Sequence, residues 1–154
     1  MSRAVLPGLL LFLASCPSGP SPRQADFDRG DSLFLSRDEE QAFAEAAAVL
    51  AESGDVGHRI RLELHLDRDT VKRKRLPDRC LVAVALALGR YPGSASARDT
   101  LWAALGDAKE RDAVRAACFK ALVSFHPLDL EAKVASLSWA PDDAWLADLQ
   151  RRLR

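Results

Sequence analysis

The chain has 154 residues, with 22 Lys plus Arg set against 22 Asp plus Glu. That length accommodates one domain with a real core, and balanced charge leaves no overall field to draw nucleic acid or a strongly acidic substrate. Hydrophobic residues reach 48% but aromatics only 6%, so the apolar content is carried by Ala, Leu and Val, and a mainly α fold is expected.

The first residues read as a leader: Arg3, an apolar run from Ala4 to Leu13, then small residues before Cys16. An apolar stretch of roughly ten residues is too short to span a bilayer core that takes about twenty helical residues. Leu13-Ala14-Ser15-Cys16 resembles the lipobox of bacterial lipoproteins. The resemblance implies a signal peptide over residues 1–15, a diacylglycerol group and further acylation at Cys16, and a lipid anchor in the bacterial cell envelope. Pro17 stands where inner-membrane lipoproteins carry a retaining aspartate, so the resemblance favours the outer membrane where there is one. Residues 16–31, opening with Pro17-Ser18-Gly19-Pro20-Ser21-Pro22, read as a flexible tether, and residues 32–154 as the helical domain.

A helix is expected from Arg37 to Ser53, with Ser36 and Glu39 at capping-box spacing, Phe43, Ala47 and Leu50 on one face, and Gly54 as the left-handed stop. Ile60, Leu62, Leu64 and Leu66 then alternate with polar residues, which reads as a strand. A strand needs a partner, and the other extended-looking piece is Ser32-Leu33-Phe34-Leu35, so a helix imposed by tertiary context stays open. Cys80 to Leu88 is too apolar to face water and reads as a buried central helix ended by Gly89 and Pro92. Ser96 and Asp99 have cap-like spacing before a short helix closed by Gly106, and a further helix is expected from Glu110 to Phe125. Leu130, Val134 and Leu137 mark another. A last helix begins near Pro141, ends in Arg151, Arg152 and Arg154, and carries a stripe of Trp145, Leu149 and Leu153.

An offset of 34 residues superposes Ala83, Ala87 and Leu88 on Ala117, Ala121 and Leu122, the length of one helix pair. Val114-Arg115-Ala116-Ala117-Cys118-Phe119-Lys120-Ala121-Leu122 resembles a HEAT-like repeat, and the earlier unit matches it except for Leu81 in place of the arginine. The resemblance covers residues 77–137. It implies stacked helix pairs that bind protein through their second helices, here at Arg98, Asp99, Glu131 and Lys133, with an envelope protein as partner.

His58, His65 and His126 are the candidates for acid–base or metal chemistry. Read as a strand, the segment puts His58 and His65 on opposite faces as solvent-facing polar positions, although an envelope hydrolase or metal-binding protein using this pair with Asp67 and Asp69 is the alternative function. The chain contains no phosphate loop, metalloprotease pair or nucleophile elbow, and the reading invokes no catalysis, cofactor or metal. Cys80 and Cys118 lie in apolar helical surroundings and read as buried thiols too far apart for a disulfide. Lys72-Arg73-Lys74-Arg75 reads as a solvated loop, or as a contact to anionic lipid.

Overall fold

A computed structural model describes residues 21–31, 35–67, 69, 76–126, 130, 136–137 and 151. The expected lipidation site Cys16, the basic run 72–75, Glu131, Lys133 and the stripe of Trp145, Leu149 and Leu153 lie outside the described residues. The chain is mainly α: α1 Pro22–Asp28, a 3-10 turn Arg29–Asp31, α2 Arg37–Glu52, α3 Val56–Leu66, α4 Asp78–Leu88, α5 Ala95–Gly106 and α6 Asp112–Val123. Among the described residues no helix is long and apolar enough to cross a membrane.

Local chemistry accounts for the helix ends. Ser36 Oγ accepts from the Glu39 amide at 3.4 Å while the Glu39 carboxylate accepts from the Ser36 amide at 2.8 Å, completing the capping box. These bonds to the charged form hold the Glu39 carboxyl below its ordinary value. Gly54 takes φ 68° just after α2, as the left-handed stop requires. The stop after α6 is less usual, since His126 rather than glycine adopts φ 47°. Ser94, not Ser96, caps α5, accepting from the Ala97 amide at 3.2 Å, while Ser96 Oγ donates to Glu63 Oε2 at 2.9 Å and ties α5 to α3.

Two expectations need correction. The segment 58–66 is helical rather than a strand, because Asp55 caps it by accepting from the His58 amide at 2.7 Å and α4 offers it a helical surface to pack on. The alternating aliphatics divide accordingly: Leu62 and Leu66 are buried, whereas Ile60 and Leu64 are 45% and 43% exposed. Residues 22–31, taken as tether, are folded onto the domain. Pro22 sits in the first turn of α1, where its missing N–H is harmless, and Ser21 Oγ accepts from the Gln24 amide at 3.2 Å.

The helices stack in two layers. In one, α4 lies between α2 and α6; in the other, α3 packs on α4 and on α5, and α5 packs on α6. The central position of α4 agrees with its near absence of polar residues, although Leu86 remains 38% exposed. Two of the three pairs related by the 34-residue offset are buried alike, Leu88 and Leu122 both at 0% exposed and Ala87 and Ala121 at 2% and 4%, whereas Ala83 is half-buried and Ala117 is buried. Gly89 is in close contact with α6: a Cβ there would stand 3.0 Å from Ala121 Cα, and Ser124 Oγ donates to the Gly89 carbonyl at 2.6 Å. Such contact lets the helices interlock without a gap.

Candidate functional site

Two regions have the residue types that a function needs, and the helical state of α3 determines both. Seven residues are close to two turns, so helical spacing carries His58 and His65 to the same side instead of opposite sides. Their exposures are 5% and 1%, which also corrects the expectation that they face solvent. Between them stands Phe27 of α1, stacked on Phe43 with centroids 5.0 Å apart and meeting the His58 and His65 rings edge-on at 4.5 and 5.4 Å. Arg61 covers the same ring at 4.8 Å and pairs with Asp28 at 2.5 Å, which anchors α1 from outside. His58 Nε2 lies 3.4 Å from the Ala47 carbonyl, consistent with a neutral ring donating there.

Desolvation is the main influence on His58 and lowers its pKa, only partly offset by the Ala47 carbonyl. A histidine whose folded pKa lies below its unfolded value binds fewer protons when folded. Its contribution is therefore intact above the unfolded value of about 6.5 and is lost as pH falls below it, by at most about 1.4 kcal/mol per pH unit per proton. The melting temperature should fall between pH 7.5 and pH 5, and His58→Gln should flatten that dependence; an unchanged profile in the variant would place the titrating group elsewhere.

The second region is a groove of about 460 Å³ between α3 and α5. One wall bears Ile60 and Leu64, with Val56 a turn before them and 60% exposed. The other is made by Thr100, Ala103 and Ala104, small enough for a partner to approach the helix backbone. Glu63, Asp67, Asp69 and Asp107 also line it, and no lysine or arginine does among the described residues. Glu63 is held by Arg59 on its own helix and by Ser96. Asp67 and Asp107 are the C-caps of α3 and α5, so both helices deliver their partially negative ends to this groove. Among the described residues no three His, Cys, Asp or Glu side chains converge as a metal site would need, so the carboxylates form a rim.

Of the residues expected to bind a partner, Asp99 is exposed and stands four residues before the groove residue Ala103, along the same edge of α5. Arg98 is also exposed and pairs with Asp99 at 3.3 Å. Sequence reading overlooked Ile60 and Leu64 as surface residues; the signal was present in Val56, Ile60 and Leu64 at i, i+4, i+8, once Asp55 is taken as a cap. Cys80 and Cys118 are both buried, and burial pushes the Cys80 thiol up to about 12, which leaves it unreactive. A second groove, of about 450 Å³, runs over α2, α4 and α6, lined among others by Ala44, Ala48, Ala83, Ala87, Lys120 and Ala121, and includes Arg90, which pairs with Glu52 at 3.2 Å.

No protein-family model matches the chain, and comparison with curated proteins and with solved structures produced no match either.

Proposed function

We infer that this is a helical-repeat interaction module, held in the bacterial envelope by lipid on Cys16, that binds another envelope protein through the face formed by α3 and α5. The observation that carries the reading is the line of Val56, Ile60 and Leu64, exposed by 60%, 45% and 43% at successive turns of one helix beside the groove, whereas the other exposed large aliphatics among the described residues, Val49, Leu86 and Val123, stand singly on α2, α4 and α6. Arg98 and Asp99 lie next to this face, and Glu131 and Lys133 belong to the same reading through the repeat resemblance. A hydrolase or metal site built on His58 and His65 has less support, since both rings are packed against Phe27.

A photo-crosslinker at Asp99 or Ala103, introduced in the native cell, should give a discrete adduct with an envelope protein, while the same group at Lys120 on the opposite layer should not. Reversing Arg98, Asp99, Glu131 and Lys133 together should reduce the adduct several-fold with little change in melting temperature. Cys16→Ala should abolish fatty-acid labelling and release the protein from membranes. Equal adducts from both faces, or a folded His58→Gln variant that loses cellular function while the charge reversal is silent, would overturn the binding reading; lipid labelling of Cys16→Ala would overturn the anchor.

A further inference from the structure

We propose that the groove between α3 and α5 receives an amphipathic helix of a partner protein whose basic residues are concentrated at one end. The proposal rests on the binding reading above and specifies the partner. Val56, Ile60 and Leu64 repeat at four-residue intervals, a rise of about 6 Å each, which is the spacing at which the side chains of a helix lying alongside interdigitate. The small residues Thr100, Ala103 and Ala104 opposite them leave room for a helix backbone as well as its side chains.

Charge sets the direction. Asp67 and Asp69 follow the C-terminus of α3 and Asp107 that of α5, and all three line the groove, so two helix C-termini add their partial negative charge to its carboxylates. Towards Ile60 the groove is lined by one further carboxylate, Glu63, whose charge is balanced by Arg59. A helix with a leucine stripe and lysine or arginine at one end complements both features. An anionic helix would be repelled, and a single divalent cation would find no three converging ligands among the described residues.

The test uses the full chain and a labelled fifteen-residue helical peptide with leucines along one face and three arginines at one end. Fluorescence anisotropy should show binding that weakens at least tenfold with Leu64→Ser, weakens several-fold with Asp69→Asn and Asp107→Asn together, and loosens as salt is raised. Leu64 is 43% exposed, so its replacement should leave the melting temperature nearly unchanged, and melting curves verify that each variant is folded. Equal binding of a peptide with glutamates for arginines, or of one with its leucine positions scrambled, would overturn the proposal. A chain that dimerises through Leu64 without competition from the peptide would also overturn it, assigning the groove to a second copy. If peptide binding fails while the Asp99 crosslink persists, the partner is wrongly specified and the binding module stands; if both fail, the binding module falls.

Discussion

Phe27→Ala should lower stability by about 3–5 kcal/mol, the range for truncating a fully buried phenylalanine. Phe27 is 0% exposed and is the residue through which α1 enters the core. Its removal strips the stacking partner from Phe43 and the edge contacts from both histidines, and leaves Arg61 without the ring beneath it. The surroundings have little freedom to collapse into the gap. Gly30 is already so close to Phe43 that a Cβ would stand 2.3 Å from its ring, so the backbone cannot move inwards there. Thermal unfolding should show a fall of more than about 10 °C for a domain of this size. Phe27→Leu should recover part of the loss by refilling volume. A change below about 1 kcal/mol would mean that α1 is not docked on α2 and α3 in solution, and the N-terminal boundary of the domain would have to be redrawn.

Gly89→Val should be the most damaging substitution at the contact between the helix pairs, costing about 1–3 kcal/mol through overpacking. Even a methyl group would stand 3.0 Å from both Ala121 Cα and Ala121 Cβ, and the obstacle is partly backbone, which cannot rotate away. Forcing α4 from α6 also strains the 2.6 Å hydrogen bond from Ser124 to the Gly89 carbonyl. The geometry provides a second-site check. Ala121→Gly removes one of the two obstructing atoms, so the double variant should recover part of the stability lost by Gly89→Val, a positive coupling in a double-mutant cycle. Strict additivity in urea unfolding would show that the glycine is damaging for a reason other than this contact.

These residues also show why some elements can be read from sequence and others cannot. The start of α2 is written in the four residues Ser36 to Glu39, because a capping box is a local device that needs no tertiary partner. The 34-residue offset is legible for a related reason: stacked pairs impose the same packing on Ala87 and Ala121, and therefore the same residue type. α3 misleads because it is apolar on two sides, one against Phe27 and one at the groove, and a helix with two apolar stripes imitates the alternation of a strand. α1 was hidden by Pro22, because a proline that reads as a helix breaker is well tolerated in the first turn of a helix. The groove is the least legible of all. Asp67 and Asp107 are forty positions apart, and only the packing of α3 beside α5 brings two helix ends together.

The plug formed by Phe27 has a mechanical consequence. A pull applied at Pro22 would pass through a seven-residue helix held to the rest of the described fold by one buried aromatic ring and by the Arg61–Asp28 and Arg23–Glu45 pairs. Because these ties are few, α1 is expected to give way under such a pull before the stack from α2 to α6.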